Sequence, residues 1–182
     1  MGTGDGTYAY RLARSWPDTL VIGLDSNAEN LQEISHKASL KPSKGGLSNL
    51  ILGQLSLEQS PGEVAGLADS ISVILPWGSL LKAMALPEPE LLHQLAQLGK
   101  PSSEIKIIFG YGLEADAAEI KALGLPDIDV NALRKAYCAA GFDVRVREIP
   151  VEEIREIPSK WAKKLAFSGK NRTFVEIKGC CR

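Results

Sequence analysis

The chain has 182 residues, enough for one sizeable core, and its 45% hydrophobic and 24% charged fractions are those of an ordinary globular domain. No apolar run approaches the ~20 residues of a membrane-spanning helix, and no charged-then-apolar leader pattern is present. Cys138, Cys180 and Cys181 form no C-x-x-C pair, which argues against a disulfide framework or zinc knuckle and points to a reducing cytoplasm.

The chain opens with "MGTGDGTYAY", a turn with Gly2, Gly4 and Gly6 in G-x-G-x-G spacing, Asp5 inside it and helix-compatible residues after it. Such a turn normally joins the end of a strand to a helix N-terminus. "DTLVIGLDSN" then predicts a buried strand from Thr19 to Leu24 that stops at Asp25. Leu31, Ile34 and Ala38 recur at helical spacing behind it, with Asp25 to Asn27 as cap candidates. "SNLILGQL", "SISVILP" and "IKIIFGY" are further short apolar runs, read as buried strands. Helical patterns cover Glu88 to Leu98, Glu114 to Leu123 and Asn131 to Ala140, the last ended by Gly141. "FDVRVREI" and "RTFVEIKG" alternate strictly, as strands with one solvated face do. Strands separated by helices define an α/β doubly wound parallel sheet, and the two alternating strands predict an antiparallel finish. With no repeat, low-complexity tract or linker, residues 1–182 read as one domain.

The net charge of −1 hides an uneven distribution. Lys37, Lys41 and Lys44 lie in "SHKASLKPSKGG", which contains no acid. From Arg155 onward, Arg155, Lys160, Lys163, Lys164, Lys170, Arg172, Lys178 and Arg182 face only Glu156 and Glu176. A single lysine run is usually a solvated face, but two separated runs in one domain point to a polyanion.

A glycine turn alone is a weak signal. Asp25 strengthens it, because an acid at the end of the following strand accepts hydrogen bonds from the ribose hydroxyls of a nucleoside cofactor. That pairing suits NAD and S-adenosylmethionine alike. The dinucleotide fingerprint, however, wants G-x-G-x-x-G to seat a pyrophosphate, and the next strand ends at "LSLEQSP", whose Glu58 offers an acceptor to an adenine amino group. The compact turn with two strand-ending acids favours a ligand without phosphates, which is S-adenosylmethionine.

"GTGDG", "LDSNAENLQEISHKASLKPSKGGLSNL", "LPWGSLL" and "SKWAKKLAF" closely resemble the aminoglycoside-resistance 16S rRNA methyltransferases that act on N1 of adenine 1408, the kanamycin–apramycin type. The resemblance runs from Gly2 to about Gly179. It implies a class I methyltransferase fold, S-adenosylmethionine as cofactor, and the decoding site of the assembled 30S subunit as substrate. By motif, it assigns Gly2, Gly4 and Asp5 to the cofactor turn, Asp25 to the ribose and Glu58 to the adenine. Ser79 and Ser159 would complete the methionine side of the pocket, and Trp77 and Trp161 would hold the flipped target base. Lys37, Lys41, Lys44, Lys163, Lys164 and Arg172 fall to rRNA contact. The resemblance also implies an N-terminal hairpin and a central first strand ahead of the glycine turn. The chain is expected to lack both, through a start assigned too late.

Adenine N1 carries an in-plane lone pair and no proton, so no general base is required. The base must leave its stack to be reached, and two tryptophans suit that task by stacking and by stabilising the cationic product. Trp16, before Pro17, reads as a packing residue, and His36 and His93 as surface residues of helices. The large substrate suggests a monomer. Two other readings remain open: a class I methyltransferase acting on another RNA or a small molecule, and a ribosome-binding homologue without activity.

Overall fold

The computed structural model describes residues 1–59, 62–168 and 171–182. Helix α1 (Thr7–Ser15) follows the glycine turn and packs on strand β1 (Val21–Asp25). Helix α2 (Gln32–Ala38) leads to β2 (Leu50–Gln54), which pairs with β1 in parallel, Val21 opposite Leu50 and Asp25 opposite Gln54. Then come β3 (Ala68–Ile74), α3 (Gly78–Ala85), α4 (Pro89–Gln97) and the long β4 (Gly99–Tyr111). Helices α5 (Ala117–Leu123) and α6 (Val130–Ala139) precede β5 (Phe142–Ile149); α7 (Val151–Glu156) and α8 (Lys160–Ala166) precede β6 (Thr173–Cys181).

The second sheet has the order β3-β4-β6-β5, with β3 parallel to β4 and β6 antiparallel to both neighbours. This is the α/β fold with an antiparallel finish that the alternating strands predicted. Its two faces bury different cores. Ile105, Ile107 and Phe109 of β4 face α3, α4 and α6, where Tyr137 and Phe142 meet edge to face at 5.7 Å. Burial raises the Tyr137 hydroxyl's pKa, and the hydroxyl donates to the Met84 carbonyl at 3.2 Å. On the opposite face Ile108 and Phe174 pack under Ile154 of α7 and Leu165 of α8.

Between the sheets lies a cleft of about 1820 Å³, lined on one side by Val21, Ile22 and Gly23 and on the other by Ala68, Ser70 and Ile71. Among the described residues, β1 and β3 each have one strand partner, so both turn an unpaired edge to this cleft. Residues 1–3 bridge its far end: the Thr3 amide donates to the Leu24 carbonyl and the Met1 amine to the Ser72 carbonyl, both at 2.9 Å. Burial lowers the pKa of that amine to about 6, against the opposing pull of Asp25. The exposed apolar side chains Leu20, Ile22 and Leu67 line the same cleft. Trp16, expected to pack, is 53% exposed on the cleft rim, because no element covers it there.

Candidate functional site

The glycine turn is built around the carboxylate of Asp25. Gly2 and Gly4 adopt φ values of +65° and +58°, a region that side chains disfavour. That path lets the Gly4 amide reach back and donate to Asp25 Oδ2 at 2.7 Å, while the Asn27 amide donates to Oδ1 at 3.1 Å. Asp25 is 9% exposed, so these bonds orient a nearly buried acid. Asp5 accepts from the Thr7 amide at 2.9 Å, fixing the first turn of α1, and lies 3.5 Å from Lys160 at the start of α8.

This arrangement suits a nucleoside better than a pyrophosphate. A phosphate would need free backbone N–H groups, but the Gly4 amide is already given to a carboxylate that would repel an anion. Each carboxylate oxygen of Asp25 keeps acceptor capacity for a hydroxyl. A Cβ at Gly4 would meet nothing within 4 Å, so the turn borders open space. Thr3 lines the cleft, and its buried hydroxyl has no hydrogen-bond partner among the described residues. An orphan hydroxyl beside an oriented acid and an open glycine turn fits a polar, phosphate-free ligand such as S-adenosylmethionine.

Strand β3 delivers the other half of the site. Leu75, just after it, has φ +51° although it is not glycine, and it precedes Pro76, which normally forces its predecessor into extended backbone. This costly turn swings Trp77 to the N-cap of α3, 37% exposed, with Ser79 in the helix's first turn. Ser159 caps α8 from the other side, accepting from the Trp161 and Ala162 amides at 3.2 and 3.4 Å. Trp161 thereby meets Trp77 at a centroid distance of 5.7 Å and an interplanar angle of 78°. Lys164 Nζ lies 5.3 Å from the Trp161 ring centre.

Gly2, Gly4, Asp5, Asp25, Glu58, Trp77, Ser79, Ser159 and Trp161 line one cleft. One detail differs from expectation. The tryptophans touch edge to face, whereas a base held between parallel rings needs two stacking gaps of about 3.5 Å each. The Ser159 oxygen accepts from the first amides of α8, which leaves its O–H free to donate into the cleft.

The basic residues divide into two kinds. Lys37 is exposed on the last turn of α2, and Lys41 and Lys44 on the loop after it, which is fastened to α1 where the Tyr10 hydroxyl donates to the Gly45 carbonyl at 2.6 Å. Lys37 also lies 4.5 Å over the Tyr10 ring. Lys163 and Lys164 are exposed on α8. Arg172, expected among the rRNA contacts, is instead buried: it grips Asp116 with two bonds of 2.8 Å, and both side chains are 6% exposed. A guanidinium that deep must be neutralised, which is why the pair forms. Asp116 carried no motif of its own in the sequence and fell inside the helical pattern read over Glu114 to Leu123, whereas α5 begins one residue after it. It accepts the Gly112 amide at 3.0 Å and ties the loop after β4 to the start of β6.

A mixed α/β sheet with an acid-centred glycine turn and an aromatic pair at the carboxyl ends of its strands defines a class I methyltransferase. The model of the 16S rRNA (adenine(1408)-N(1))-methyltransferase family, NpmA, matches residues 1–180, and the chain belongs to that family. A 16S rRNA (adenine(1408)-N(1))-methyltransferase from Escherichia coli is 39% identical, over 98% of this chain and 84% of its own length. One from Streptoalloteichus tenebrarius is 32% identical, over 92% of this chain and 79% of its own. Among solved structures, the 16S rRNA methyltransferase KamB superposes with a TM-score of 0.86 at 29% identity, covering all of this chain and 85% of its own.

Proposed function

We propose that this chain transfers a methyl group from S-adenosylmethionine to N1 of adenine 1408 in 16S rRNA, the position named for its family. The observation that carries the reading is the convergence of the Asp25 turn and the Trp77–Trp161 pair on one cleft. A structure from Catenulisporales acidiphilia, 30% identical with a TM-score of 0.83, is described with cosubstrate SAM.

Asp25 accepts from the ribose hydroxyls, Glu58 from the adenine amino group, and the turn, open at Gly4, admits the ligand against the backbone. Bound there, S-adenosylmethionine supplies an electrophilic methyl group. Trp77 and Trp161 receive the turned-out base, and one ring must rotate from the edge-to-face contact to let it in. Base stacking on aromatic rings contributes about 1–3 kcal/mol per base and offsets part of the cost of unstacking. The methylated ring is a cation, which the tryptophan faces favour. No residue has to remove a proton, since neutral N1 bears none. Orientation of the base nitrogen is the main service of the protein, and such alignment lowers barriers by several kcal/mol, up to about 7–11.

Lys37, Lys41, Lys44, Lys163 and Lys164 supply phosphate contacts to the assembled 30S subunit. The chain works as a monomer in the cytoplasm, where that subunit resides, and the added methyl cation at the decoding site confers aminoglycoside resistance. Incubating the protein with purified 30S subunits and labelled S-adenosylmethionine tests the reading. Label must enter 16S rRNA; label confined to another RNA, or none, removes it.

A further inference from the structure

Helix α8 buries Ala162, Leu165 and Ala166 and exposes Lys160, Lys163, Lys164 and, at its C-cap, Phe167. Phe167 is 68% exposed, the most exposed large hydrophobic side chain among the described residues. Leu20, Ile22 and Leu67 owe their exposure to the cleft they line, but Phe167 lies off the cleft. The Arg155 guanidinium of α7 sits 5.0 Å from its ring centre, and Arg155 is itself 42% exposed. One aromatic ring, backed by a guanidinium and flanked by lysines, has the composition of a nucleobase platform: a π-face to stack on, with cations for the neighbouring phosphates.

We infer that Phe167 and Arg155 form a second stacking platform, which takes an unpaired nucleobase of the RNA substrate other than the methylated adenine. Phe167 stands six residues after Trp161 on the same helix, so the platform is about 9 Å further along its axis. That offset is short enough for one strand of RNA to lay its target base on Trp161 and a nearby base on Phe167. The acid-free stretch from Ser159 to Arg172 favours a polyanionic partner over an apolar one, and among anionic partners the guanidinium-backed ring favours one that offers flat aromatic bases, which is RNA. The inference rests on the rRNA reading above and concerns how the same enzyme grips its substrate.

The test uses the full chain with purified 30S subunits, and measures subunit binding by filter retention alongside methylation kinetics. Phe167→Ala and Phe167→Leu are both expected to raise the dissociation constant and KM for 30S on the order of tenfold. Phe167→Trp keeps the wild-type values or improves them, while kcat, S-adenosylmethionine affinity and Tm stay unchanged in all three. Binding that depends on the ring supports the platform even if the bound subunits receive no methyl group, an outcome that strikes only the activity. Wild-type affinity in Phe167→Ala overturns the platform, as does absence of 30S binding by the wild-type chain. Full retention in Phe167→Leu with loss in Phe167→Ala also overturns it, because that pattern marks apolar burial against a protein surface.

Discussion

Trp77 and Trp161 meet edge to face, 5.7 Å between ring centres and 78° between planes, at the mouth of the cleft that holds Asp25. Two side chains from different elements, one at the start of α3 and one in the first turn of α8, thus close the site before any base arrives. Trp77→Ala and Trp161→Ala are expected to leave S-adenosylmethionine affinity nearly unchanged and to reduce methylation of 30S subunits strongly. Phenylalanine at either position retains part of the activity, because a smaller π-face survives. Loss of the double mutant falls short of additivity, since a base deprived of one ring is already poorly held. Thermal denaturation run beside the methylation assay checks this: if activity falls only with folded fraction, the rings are packing residues.

Asp25 holds the glycine turn through the Gly4 and Asn27 amides, and the proposed function also gives it the ribose hydroxyls. Asp25→Ala orphans the Gly4 and Asn27 amides and removes the acceptor for the ribose hydroxyls. Hydrogen bonds to a charged group are worth about 1.5–3 kcal/mol each, so S-adenosylmethionine binding should fall below detection by calorimetry. Unchanged affinity would take Asp25 out of the site.

The Arg172–Asp116 pair makes a stability claim that separates it from the surface lysines. Asp116→Ala strands a guanidinium that is 6% exposed, and breaking a buried pair from one side costs about 3–5 kcal/mol. Urea unfolding of Asp116→Ala and Arg172→Ala is expected to show this loss, largest for Asp116→Ala. Wild-type stability in both would return Arg172 to the role of a solvent-facing phosphate ligand.

Much of this was legible in the sequence, for identifiable reasons. Strand β1 stops at Asp25 because an acid cannot continue a buried apolar run, so the acid announced both the strand end and the site. Helices α4 and α6 carried enough turns to show their period, whereas α7 and α8, of 6 and 7 residues, did not. Pairings distant in sequence left no local signal: Arg172 and Asp116 are 56 residues apart, and nothing near Arg172 marks it as buried. The angle between Trp77 and Trp161 depends on side-chain torsions, which composition and spacing do not encode. Local motifs therefore located the cleft, and the tertiary fold decided which basic residues remain free to meet RNA.

The exposed lysines make an electrostatic claim. Replacing Lys37, Lys41 and Lys44 together with alanine should weaken 30S binding and flatten its salt dependence, by about one log–log unit for each phosphate no longer neutralised. Melting temperature should hold, since all three side chains are exposed. An unchanged slope would mean that the end of α2 and the loop after it are only a solvated face.

The most direct measurement maps the modified nucleotide itself. Purified 30S subunits are incubated with the protein and S-adenosylmethionine, and 16S rRNA is then read by reverse transcription, which N1 methylation of adenine blocks. A new stop is expected at adenine 1408, the position named for the family, absent without cofactor and absent with Asp25→Ala. A stop at another nucleotide, or full-length extension under conditions in which the protein binds both S-adenosylmethionine and 30S subunits, would contradict it.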